Sequence, residues 1–176
     1  MNSSNIVLVG VDGSAESAAA LEYAVAEAGR RGASLQVVTT FFPEYAVHGR
    51  THALTASEAP LEIDLEKETR AMVEEALAGN ASPPPVEIVV AAGSAAGVLI
   101  ERSGDVDVLV LGHRGRGGFA SMLLGSVSLQ CVLHAHCPVI VVRPGRGDRV
   151  APITEPVAAG STTESVKTAP TAEPAG

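Results

Sequence analysis

The chain of 176 residues contains no tryptophan, two tyrosines and three phenylalanines. So few aromatic faces leave nothing for the bases of a single-stranded nucleic acid to stack on. Basic charge is also sparse, with 12 Lys and Arg against 20 Asp and Glu and a net charge of −8. That balance repels a phosphate backbone, so no nucleic-acid partner is expected. No apolar run approaches the ~18 residues a bilayer span needs, so no membrane partner is expected either. The N-terminus lacks a basic stretch, and its apolar run Ile6–Val11 stops at Asp12, so no signal peptide is expected. Cys131 and Cys137 are the two cysteines. A chain of this length needs no disulfide staple, and a reducing cytoplasm is the expected location.

Hydrophobic residues make up 46% of the chain while aromatics make up 3%, so the core must be built from Val, Leu, Ile and Ala. Five short apolar runs read as strands: Ile6–Val11, Leu35–Thr40, Val86–Ala91, Val106–Leu111 and Val139–Val142. Continuous apolar runs of this length suit parallel strands buried on both faces. Between them lie helical patterns. Ser14 is placed to cap a first helix carrying Ala18, Leu21, Val25 and Ala28, and Gly32 stops it. A second runs from Leu61 to Ala78, a third follows Gly93-Ser94, and a fourth covers Val127–Leu133. Strands alternating with helices predict a Rossmann-like α/β fold, an open parallel sheet with helices on both faces. Phe41 to Pro60 shows no period and reads as a variable connection. One domain is expected over residues 1–145. Residues 146–176 carry scattered Thr, Ala, Pro, Glu and Gly, a composition unable to offset its ordering entropy, and read as a disordered tail.

The glycines carry the functional signal. Gly112-His113-Arg114-Gly115 ends the fourth strand, and Gly125-Ser126 follows nine residues later, opening the fourth helix. Glycine lets backbone N–H groups approach an anion unobstructed, and a helix start adds orphan N–H groups and a positive dipole end. Two anion-receptive elements one loop apart suit a polyphosphate. This is not a Walker loop, because its G-K-[ST] element is absent and both lysines, Lys67 and Lys167, lie elsewhere. Arg114 and Arg116 either pair with phosphate oxygens or stand as solvated loop arginines.

Gly112-x-x-Gly115-x9-Gly125-Ser126 resembles the ATP-binding signature of the universal stress protein family at every fixed position and in spacing. Ile6-Val-Leu-Val-Gly-Val-Asp12-Gly-Ser14 and His134-Ala-His-Cys-Pro-Val-Ile-Val-Val142 are similar to that family's first and last strands. The resemblance spans roughly residues 5–144. It implies strand order 3-2-1-4-5, with a crevice between strands one and four. It implies an ATP-binding regulator of the stress response that acts through conformation or partners, with ATP bound with or without Mg²⁺. Asp12 would then bond the nucleoside, with Gly10 and Val11 beside it. Its local alternative is turn and cap chemistry with Gly13 and Ser14. Thr40 falls where the family places an apolar residue against adenine. Gly112, Arg114, Gly115, Gly125 and Ser126 would meet the phosphates, with Val127 and Ser128 adjacent. Ser126 could equally cap its helix. The resemblance also implies a homodimer through Val139–Val142, an apolar edge that needs covering.

His134, His136 and Cys137 match no standard zinc spacing, and a helix end before Pro138 accounts for them more simply. Glu58, Asp64, Asp105 and Asp107 are not tied by sequence to the glycine loop, so no catalytic constellation is expected. An ATP-hydrolysing or adenylating enzyme on the same scaffold is the alternative reading.

Overall fold

The structure, a computed structural model, describes residues 5–42, 59–116 and 123–145. All of them fall within one compact unit, Met1–Arg146. The expected connection over 43–58 and the expected tail over 146–176 lie outside the described residues. Five strands, β1 (Ile6–Gly10), β2 (Ser34–Phe41), β3 (Val86–Ala92), β4 (Val108–Gly112) and β5 (Val139–Val142), form one sheet in the order β3-β2-β1-β4-β5. Every pairing is parallel, and Val9 of β1 stands between Val37 of β2 and Val110 of β4. The expected fold class and strand order are those of the molecule.

Four helices connect the strands: α1 (Ala15–Arg31), α2 (Ala59–Leu77), α3 (Ala95–Arg102) and α4 (Ser126–His134). The pleat sends alternate side chains to opposite faces. Val7, Val9, Leu35, Val37, Val108 and Val110 pack against Ala20, Leu21, Ala24 and Val25 of α1 and Val73 of α2. Leu8, Val38, Leu109 and Leu111 pack against Leu99 of α3 and Cys131 of α4. Val7, Leu8 and Val9 have no exposed surface, each contributing about 1.5–3 kcal/mol of burial. That two-sided burial is why β1 reads as an unbroken apolar run.

Capping sets the helix ends. The Ser14 hydroxyl accepts the Ser17 amide, and Gly32 closes α1 at φ 61°, a left-handed conformation suited to glycine. Ser94 caps α3 in the same way through the Gly97 amide. One strand starts later than its apolar run suggests. Ser103–Asp105 forms a 3-10 turn, and β4 begins at Val108 because Asp107 is engaged with Ile6. The Ile6 amide donates to Asp107 Oδ2 at 2.9 Å, and the Asp107 amide to the Ile6 carbonyl at 3.0 Å. No helix among the described residues is long and apolar enough to cross a membrane.

Gly112 marks the closest approach of sheet and helix. A Cβ there would lie 2.8 Å from the Glu16 carbonyl carbon and oxygen, backbone atoms that cannot rotate away. Gly112→Ala is therefore expected to destabilise the fold by about 1–3 kcal/mol. Urea unfolding should show a lower midpoint with an unchanged slope.

Candidate functional site

In a parallel sheet whose order reverses at β1, the connections after β1 and β4 leave on opposite faces and open a crevice beyond their carboxyl ends. Asp12 stands on its β1 side. Oδ1 accepts from the Ser14 amide at 3.0 Å and the Ser14 hydroxyl at 2.6 Å, which is the turn and cap chemistry open to Asp before Gly-Ser. Oδ2 reaches across the crevice and accepts from the Arg116 amide at 3.0 Å. A Cβ on Gly115 would collide with that same oxygen, and one on Gly13 would collide with the Arg116 guanidinium. Gly115 thus makes room for the Asp12 carboxylate.

On the β4 side, the loop and α4 are tied together. The Gly125 amide donates to the His113 carbonyl at 2.7 Å, and the Ser128 hydroxyl to the Gly112 carbonyl at 2.7 Å. A Cβ on Gly125 would lie 3.2 Å from Arg114 Cα, tighter than ordinary contact. This refines the expectation for the glycines. The Gly125 amide is already taken by the protein, so its part is close approach; Gly112 faces α1 and does not line the crevice. What remains open is the start of α4. Its N-cap, Gly125, offers no side-chain acceptor, and the amides of Ser126, Val127 and Ser128 meet no acceptor among the described residues. Ser126 therefore does not cap its helix; it is the first helical residue.

The crevice holds a cavity of about 580 Å³, within the range of small-molecule sites. Ten of the residues expected from sequence line it: Gly10, Val11, Asp12, Thr40, Arg114, Gly115, Gly125, Ser126, Val127 and Ser128. Sequence reasoning missed the apolar half, Val38, Leu65, Ala95, Leu99 and Leu111, and also Ser17 and Thr39; Arg116, singled out as a loop arginine, lines it too. Thr39 would have been found by counting outward along β2 past Val38. Leu65 and Leu99 read as core positions of helices, and nothing local marks them as cavity walls. Among the described residues, no three His, Cys, Asp or Glu side chains come together as a metal site. His134 ends α4, and the His136 amide donates to Ser103 Oγ at 2.8 Å.

The described lining carries one acidic and two basic side chains. Asp12 is the one carboxylate among the described lining residues. Desolvation raises its pKa, but hydrogen bonds from Ser14, Arg116 and Ser17 outweigh this and hold it below the usual carboxylate value. Arg114 and Arg116 bring positive charge to the lining.

A family model described as Universal stress protein family matches residues 4–143. Universal stress protein Rv2005c of Mycobacterium tuberculosis is 38% identical over 142 residues, covering 78% of this chain and 45% of that protein. The chain spans about half the length of the curated relatives it matches. A universal stress protein solved in complex with cAMP is 25% identical with a TM-score of 0.58, covering 81% of this chain and 98% of that one. The universal stress protein from Archaeoglobus fulgidus in complex with dAMP shares the fold at 20% identity and a TM-score of 0.54, covering 77% and 94%.

The Asp12 bonds have a measurable consequence. A carboxylate whose folded pKa is depressed stabilises above its unfolded value and loses that contribution as pH falls through the folded one. Asp12→Asn is expected to cost about 1 kcal/mol near neutral pH. The difference from the unsubstituted chain should shrink as the pH drops below about 3.8, read by denaturant melts across pH.

Proposed function

The chain belongs to the universal stress protein family, and we propose that its crevice binds an adenine nucleotide, ATP foremost, with or without Mg²⁺. One observation carries the reading. The uncapped start of α4, with the amides of Ser126, Val127 and Ser128 unpartnered among the described residues, lines a cavity that is also lined by aliphatic side chains. Orphan N–H groups with the positive end of the helix dipole are a polyphosphate's natural partners. Arg114 and Arg116 add charge beside them. Val38, Leu65, Ala95, Leu99 and Leu111 offer the aliphatic surface a base and ribose would cover, with Thr39 and Thr40 as polar contacts. The relative solved with cAMP supports an adenine nucleotide as the ligand class. Magnesium would ride on the phosphate oxygens, because the Asp12 carboxylate is engaged in holding the loop.

The role we propose is regulatory rather than catalytic: a partner reads nucleotide occupancy at the start of α4. Homodimerisation through β5 fits this role. β5 is an edge strand with four half-buried apolar residues, and Leu129, Val132 and Leu133 of the neighbouring α4 are exposed.

Ser126→Pro provides a selective test. Ser126 is the first residue of α4, a position that tolerates proline, and Gly125 is already extended at ψ 159°. The substitution deletes one anion-facing amide without breaking the helix. ATP affinity measured by calorimetry should fall about 5- to 10-fold, roughly the worth of one charge-assisted hydrogen bond, while the melting temperature stays within about 2 °C. Absence of any ATP heat from the unsubstituted, nucleotide-free chain would overturn the reading. Sedimentation equilibrium should give a dimer; a monomer at high concentration would remove β5 as the assembly edge.

A further inference from the structure

Arg116 leaves the loop after β4 and ends on the turn between β1 and α1. Its amide donates to Asp12 Oδ2 at 3.0 Å, which ties its backbone to the connection after β1. Its guanidinium lies over Gly13. A Cβ on Gly13 would sit 3.1 Å from Arg116 Cζ and 3.4 Å from Nε, and would collide with one terminal nitrogen. Gly13 also has φ 79°, so glycine suits this position twice, by conformation and by the space the arginine takes. The side chain therefore bridges the two connections that bound the crevice, and it lines the cavity between them.

The protein does not use this charge itself. Among the described residues the Arg116 guanidinium makes no ion pair and no hydrogen bond. Asp12, the one carboxylate of the described lining, has Oδ1 engaged by Ser14 and Oδ2 by the Arg116 amide. A guanidinium carries five N–H donors in a planar fork that matches phosphate oxygens. Laid back over a glycine rather than paired with a carboxylate, it is a donor group held in place for an anion the chain does not contain.

We propose that Arg116 sets a preference for polyphosphates, the amides at the start of α4 taking one phosphate and the Arg116 guanidinium, resting on the β1–α1 turn, taking the terminal one. The proposal rests on the nucleotide reading above and names the residue that counts phosphates there. The two anion-binding groups are built on different supports. The start of α4 is anchored to the loop after β4, where Gly125 bonds the His113 carbonyl and packs on Arg114 Cα. The guanidinium is anchored to Gly13. A monophosphate engages one support, whereas a chain of phosphates reaches both.

The test uses the full chain, with ATP and AMP as probes in calorimetry. Arg116→Ala keeps the amide that Asp12 holds and removes only the side chain. It should weaken ATP about 10-fold and leave AMP within about twofold, with the melting temperature within about 2 °C. Gly13→Ala puts a methyl group where the guanidinium lies and lowers stability through its positive φ. It is therefore read as the ratio of ATP to AMP affinity, which should fall as in Arg116→Ala and fall no further when the two substitutions are combined. Equal losses for ATP and AMP in Arg116→Ala, or a Gly13→Ala effect on the ratio that survives Arg116→Ala, would overturn the proposal. A ligand-free readout separates this failure from that of the nucleotide reading. Proton NMR of the nucleotide-free chain should show cross-relaxation between the Arg116 side chain and the Gly13 α-protons, and its absence sinks the bridge whatever binds. A chain that shows this contact and binds neither probe would sink the nucleotide reading instead.

Discussion

The site depends on a single carboxylate crossing from β1 to the loop after β4. Asp12 accepts the Arg116 amide across 104 residues of sequence, in a space that exists because Gly115 has no side chain. From that junction the geometry propagates. Fixing Gly115 and Arg116 fixes Arg114, against whose Cα Gly125 packs, and Gly125 donates to the His113 carbonyl. Ser128 then closes onto the Gly112 carbonyl. Each contact is worth about 1 kcal/mol. In series they determine where the first three amides of α4 point.

The sheet makes this junction possible. β1 and β4 are buried on both faces, and α1 approaches β4 so closely that only glycine fits at residue 112. A rigid pair of strands diverging into opposite connections gives the crevice a floor that does not yield.

Much of this was legible in the residues, for reasons that differ by element. The strands were visible because parallel strands covered on both faces leave continuous apolar runs, as at Ile6–Gly10 and Val108–Gly112. The glycines were visible because they punctuate. Their individual tasks were not. Gly112, Gly115 and Gly125 are alike in a sequence, yet one admits α1, one admits a carboxylate and one admits a neighbouring backbone. The start of β4 was misplaced by two residues because the Asp107 carboxylate bonds a backbone amide 101 positions away. Leu65, Leu99 and Leu111 look like any core leucines, and only the closed fold shows that they face a cavity.

The mixed lining of the cavity has a consequence for selectivity. Its apolar part is aliphatic among the described residues, built from Val, Leu and Ala, in a chain with no tryptophan and five other aromatics. A base held there gains dispersion and burial, at about 25 cal/mol per Å², but no stacking on a π face. Burial of that kind distinguishes bases weakly, since purines of similar size cover similar area. The polar part of the lining offers the N–H groups of the α4 start and two arginines, whose contribution would change with each phosphate added. Discrimination should therefore rest more on the number of phosphates than on the base.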